Sequence, residues 1–161
     1  MDDSSQVRIQ KITEIIKECR LSIHDISRTE SDGHPPLPRF NMPLELGLFM
    51  GAKAFGTGKQ KRKAAMILDT ERFRFQKFIS DIAGQDIRAH EGSTGKVIRD
   101  VRAFLISQSP RTVFLAGSDK VVERFHQFKT EMPASLKALH IDPSDFGFQD
   151  LIRLVAGYVA S

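Results

Sequence analysis

Asn41–Lys53 reads NMPLELGLFMGAK, and from Met42 onward only Glu45 and Lys53 are neither apolar nor glycine. A helix of this composition is apolar nearly all round and calls for burial. Pro43 suits the opening of a helix, where a missing N–H costs nothing. That predicts Asn41 or Met42 at the cap and Glu45 in the first turn, where the helix dipole favours its ionised form. Gly47 and Gly51 share a face, and each costs ~1 kcal/mol relative to alanine unless another element approaches closely there.

Strand patterns flank this helix. On the upstream side, Leu21, Ile23 and Ile26 within RLSIHDIS (residues 20–27) predict a short strand ending near His24 or Asp25. Downstream, AAMIL (residues 64–68), closed by Asp69, predicts a second, buried strand. Strand, loop, helix and strand make a parallel crossover unit, so Asp25 would sit at a strand's carboxyl end, the edge where open α/β sheets bind ligands. The intervening RTESDGHPPLPRF (residues 28–40) is rich in turn formers and predicts an exposed loop.

Around this unit the pattern is helical. Val7, Ile12, Ile15, Ile16 and Cys19 fall on one stripe of a helix expected from about Ser5 to Cys19, with Ser4 or Ser5 as cap. Phe73, Phe75, Phe78, Ile79 and Ile82 predict a helix ended by Gly84. A further stripe is formed by Val97, Ile98, Val101, Phe104 and Leu105, capped by Ser93 or Thr94. Val121, Val122, Phe125 and Phe128 mark a helix ended or broken before Pro133, and a last helix runs from Phe148 to Val159 after a start near Ser144. We therefore expect one domain over 1–161, with an α/β crossover core in 1–69 and mainly helical cover or an oligomer surface in 70–161. Two strands do not make an independently stable sheet; Thr112–Leu115 (TVFL) is a candidate third, and a partner chain could supply an edge.

The 161 residues are 40% hydrophobic and 27% charged, enough for a core that folds without staples. One cysteine, Cys19, excludes an internal disulfide and suits a reducing compartment. No signal peptide or apolar run of ~18 residues is present, so a cytoplasmic protein without a membrane span is expected. The net charge of +4 is concentrated in KQKRK (residues 59–63). No aromatic residues alternate with these charges, which favours a solvated loop over nucleic-acid binding. Neither Gly58-Lys59 nor Gly95-Lys96 completes a phosphate-binding loop, and no second histidine stands at metal-ligand spacing from His24.

The segments HDIS, RFNMPLELGLFMGAK, AAMILD and FQKFISDIAGQDIRAH together resemble a family of uncharacterised bacterial proteins related to the nucleoside 2-deoxyribosyltransferase and TIR-like superfamily. The resemblance covers about Ser4–Leu105. Asp25, Glu45-Leu46-Gly47 and Gly51-Ala52-Lys53 stand where the transferases carry an aspartate after a strand, a Glu-Leu-Gly opening the next helix, and a small-residue-plus-lysine ending. The resemblance implies a flavodoxin-like (Rossmann-like) fold, reduced in strand number because the family's first strand and helix have no counterpart here. It also implies attack by a helix-borne glutamate on the N-glycosidic bond of a nucleoside or of NAD, with a carboxylate beside an oxocarbenium-like centre.

On that basis Glu45 and Asp25 are the candidate catalytic residues, and Asn41, Arg39 and His24 the candidate substrate-binding residues. No metal or cofactor is expected, the partner being a nucleoside or nucleotide and, in a non-catalytic alternative, a second copy of the chain or a sensed nucleotide. Each residue also has a plain structural use: Glu45 on backbone N–H groups of the first turn, Asp25 in a turn, Asn41 as N-cap, His24 in packing. The polar residues Asp81, Gln85, Asp86, Arg88 and His90 around Gly84 suit hydrogen bonds that fix a helix end and the turn after it.

Overall fold

The computed structural model describes residues 7–29 and 39–160. They fall in two compact units, Met1–Pro110 and Arg111–Ser161. The first unit is α/β. It contains α1 (Arg8–Glu18), β1 (Leu21–Asp25), α2 (Asn41–Phe55), β2 (Ala64–Asp69), β3 (Ile87–Ala89) and α3 (Thr94–Gln108), with short 3₁₀ turns at Gly58–Arg62, Arg74–Lys77 and Ser80–Ile82. The three strands are parallel, in the order β1-β2-β3, with Asp25 in register with Leu68 and Asp69 with Ala89. This is the expected parallel crossover sheet, reduced in strand number.

Side chains alternate between the two faces of β2. Ile67 joins Ile26, Leu46, Phe75 and Ile82 on the α2 side. Met66 and Leu68 pack with Phe104 of α3 on the other, flanked by Val97, Val101 and Leu105. The predicted α3 stripe is thus a core face, and Ser93 caps the helix by accepting the Lys96 N–H at 3.3 Å.

Several expectations need correction. The third strand is not Thr112–Leu115, which lies outside any strand and exposes Val113, Phe114 and Leu115; it is Ile87–Ala89, too short to announce itself by periodicity. No continuous helix spans Phe73–Ile82. Phe75 and Ile82 still reach the core, but Phe73 adopts a left-handed φ of 63° and Arg74 turns inward onto Asp69, which breaks the helical run.

The central helix α2 begins at Asn41, with Phe40 before it and no side-chain cap, so Asn41 is the first helical residue and Glu45 falls in the second turn. There the dipole's influence has largely faded. Nor is α2 buried all round. Pro43, Leu46 and Phe49 are buried, while Leu44 (55%), Leu48 (36%) and Phe55 (89%) are exposed. Three strands ~4.8 Å apart present a face about as wide as one helix, so only one side of α2 is covered. A methyl group at Gly47 would meet nothing within 4 Å among the described residues, and at Gly51 only Phe55 of the same helix.

In α1 the stripe is only partly used: Ile16 is buried and Ile15 is 60% exposed, with the predicted caps Ser4 and Ser5 outside the described residues. The second unit contains α4 (Ser118–Ala138) and α5 (Phe148–Ala160). α4 runs through Pro133 rather than ending before it. Pro133 and Lys129 are both exposed, so water can satisfy the carbonyl that loses its partner. No helix among the described residues is long and apolar enough to cross a membrane.

Candidate functional site at the carboxyl edge of the sheet

Because the strands are parallel, their carboxyl ends meet along one edge. β1 delivers Asp25, β2 delivers Asp69, and the residue after β3 is His90, whose N–H bonds the Asp69 carbonyl at 2.8 Å. His90 is buried at 7% exposure. Its Nδ1 accepts the Gly92 N–H at 3.1 Å, in a tight turn where Glu91 and Gly92 have φ of 55° and 71°. A ring accepting at Nδ1 carries its proton at Nε2. That nitrogen faces Asp25 Oδ1 at 3.6 Å, beyond direct hydrogen-bond length, and has no hydrogen-bond partner among the described residues. Asp25 itself is about half exposed, and its Oδ1 accepts the Ser27 N–H at 3.0 Å. The pair therefore sets a buried imidazole N–H opposite a carboxylate open to solvent.

Beside it lies a buried ion pair. Asp69 is fully buried; its Oδ1 accepts from Arg74 Nε at 2.7 Å and Nη2 at 2.6 Å, and from the Thr70 N–H at 2.7 Å. Arg74 also donates to Thr29 Oγ1 at 3.2 Å and to the Ile26 carbonyl at 2.8 Å, and its guanidinium lies 5.0 Å from the Phe78 ring centre. One side chain thus ties the ends of β1 and β2 together. Asp69 Oδ2 is buried without a hydrogen-bond partner among the described residues. The Arg39 N–H donates to the Thr29 carbonyl at 3.0 Å, drawing together the two ends of the connection between β1 and α2.

The candidate residues divide accordingly. Asp25 stands at the edge as expected, and Arg39 reaches it through its backbone. Asn41 is exposed at the start of α2. Glu45 is half-buried, next to Leu46, which packs on Ile26 just beyond β1; it has no hydrogen bond or ion pair among the described residues. His24 sits apart from these groups, buried under α2 with its Nε2 3.0 Å from Ser22 Oγ and its ring 5.7 Å from that of Phe49. Burial lowers its pKa from the ordinary 6.5. The sequence alone does not mark His90, Asp69 and Arg74 as site residues. Only parallel pairing brings them to Asp25, although the strand-terminal position of Asp69 was visible in AAMILD.

In the basic run Lys59, Lys61 and Arg62 are exposed and Lys63 is buried. Lys59 pairs with Glu18 at 3.3 Å, Lys61 donates to the Ala54 carbonyl, and Lys63, 2% exposed, donates to the carbonyls of Ile16 and Cys19 at the end of α1 while lying 4.7 Å from the Phe49 ring centre. Desolvation lowers the Lys63 pKa. Among the described residues no group of three or more His, Cys, Asp or Glu is placed to hold a metal ion. Compared with family models, curated proteins and solved structures, the chain matches none.

Proposed function

We propose that the carboxyl edge of the sheet binds a nucleoside or NAD and breaks its N-glycosidic bond, with Glu45 as nucleophile or oxocarbenium stabiliser. The observation that carries this reading is the Asp25–His90 pair, a buried N–H set against an accessible carboxylate at the ligand edge of a parallel sheet. The order of Asp25, Glu45-Leu46-Gly47 and Gly51-Ala52-Lys53 along strand and helix supports it through the resemblance to the transferases. In the proposed reaction a Glu45 oxygen bonds the anomeric carbon as the glycosidic bond breaks, and the bonding pair leaves on the base nitrogen. Nicotinamide departs neutral. A purine or pyrimidine takes up a proton from water, the neutral His90 donates its Nε2–H as a hydrogen bond to the bound ligand, and Asp25 holds a sugar hydroxyl. Water or an acceptor base then displaces the ester. Calorimetric titration with 2′-deoxyinosine and with NAD tests the site: one of them binds, and Asp25→Asn and His90→Gln each weaken binding about tenfold, ~1.4 kcal/mol. If neither ligand binds the wild-type chain, the reading fails.

A specific observation favours a second reading, a non-catalytic module that self-associates. No residue of α5 is buried, and Phe148, Ile152, Val155 and Val159 are all exposed at the 4-3-4 spacing of a helix–helix seam. Under this reading a second copy covers the stripe. Light scattering against concentration would show a dimer that Val155→Asp dissociates, whereas a strict monomer removes this reading.

A further inference from the structure

β3 is shorter than the strand it pairs with. Ile67–Asp69 of β2 lie against Ile87–Ala89, whereas Ala64–Met66 have a strand on the β1 side only. Ala64 donates its N–H to the Arg20 carbonyl, toward β1, at 3.0 Å. Successive residues of a strand turn their backbone groups to opposite sides, so the N–H and C=O of Ala65 face away from β1. Neither has a hydrogen-bond partner among the described residues.

A cavity of about 570 Å³ opens at this place. Phe49, Met50 and Ala54 of α2 form one wall and Phe104 of α3 the other, with Ala65, Met66 and Ile67 between them. Both helical layers thus continue past the end of β3 while the sheet between them does not. The charges around the cavity nearly cancel. Arg88 is held by Asp100 at 3.3 Å, and Lys53, Gln85 and Asp86 also line the cavity. Such a lining does not select a polyanion. A donor and an acceptor on one residue, between apolar walls, are complementary to a neutral amide edge.

We propose that this half-empty row takes a short extended peptide segment of another protein, added in line with β3 through paired hydrogen bonds to Ala65. Its successive side chains alternate in direction, one entering the α2 layer near Phe49, Met50 and Ile67 and the next the α3 layer near Met66 and Phe104. The segment is therefore apolar at consecutive positions, unlike a strand with one wet face. The cleft lies at the amino-terminal half of β2, whereas Asp25 stands level with Leu68, so the inference does not depend on glycosidic chemistry.

The probe is the peptide acetyl-Ser-Val-Leu-Val-Ser-amide, titrated into the ¹⁵N-labelled full chain. Saturable shifts are expected at the amides of Ala65, Ile67 and Phe104, with slowed hydrogen exchange at Ala65. The same peptide N-methylated at its central amides keeps its side chains but cannot pair and leaves the spectrum unchanged. Ala54→Trp, at an exposed helix position lining the cavity, weakens binding at least about tenfold. Absence of shifts at these amides, equal shifts with the N-methylated peptide, or undiminished binding by Ala54→Trp would each overturn the proposal.

Discussion

Arg74 shows how one side chain can govern the site. It pairs with Asp69 Oδ1 and donates to Thr29 and the Ile26 carbonyl at once, and Asp69 is fully enclosed. Breaking a buried pair leaves an uncompensated charge, so Arg74→Met should cost ~3–5 kcal/mol in urea unfolding. The double variant Asp69→Asn with Arg74→Met should lose less, because no charge is stranded. His24 makes a second residue-scale prediction. Its folded pKa is depressed by burial, so the unfolded chain binds the proton more tightly and acid favours unfolding. Stability should hold above the unfolded value of 6.5 and fall as the pH drops below it; His24→Gln should flatten that decline in melting curves between about pH 7.5 and 5. Of these residues, Asp69 is legible in the sequence as the close of β2 and His24 as a packed side chain. The sequence spacing of His90 and Arg74 says nothing of the strand ends they meet.

At the scale of elements, legibility followed length and anchoring. β1 and α3 have clear periods, β2 and α2 are apolar runs with strong boundary residues, and all four form within a few residues of where the pattern places them. Phe73–Ile82 has an equally helical spacing of apolar residues, yet forms two 3₁₀ turns because Arg74 is drawn to the end of β2. Tertiary anchoring outweighed propensity there. In KQKRK, Lys59, Lys61 and Arg62 are exposed as a solvated loop requires, whereas Lys63 is buried and fills the carbonyl end of α1. Lys63→Met should therefore cost ~2 kcal/mol, the scale of charged hydrogen bonds lost. Lys59→Ala, which loses only an exposed pair with Glu18, should change stability by less than ~1 kcal/mol. Thermal melts of the two variants make the comparison, and equal effects would contradict the structural role assigned to Lys63.

At the scale of the molecule, the α/β class follows from two apolar strands joined through a helix, and a third parallel strand completes the sheet. The site could be placed at an edge but not assembled, because assembly required knowing that β3 comes from IRA (residues 87–89) and sets His90 beside Asp25. The role proposed for Glu45 rests on the resemblance and on its place one residue from Leu46, which packs in one cluster with Ile26 just beyond β1. Its test is also the test of the whole functional account. Free base released from 2′-deoxynucleosides, and nicotinamide released from NAD, should be measured by chromatography for the wild-type chain and for Glu45→Gln. The account predicts release from at least one substrate by the wild type, its loss in Glu45→Gln, and a melting midpoint nearly unchanged by the substitution; no release by the wild type, or undiminished release by Glu45→Gln, would contradict it.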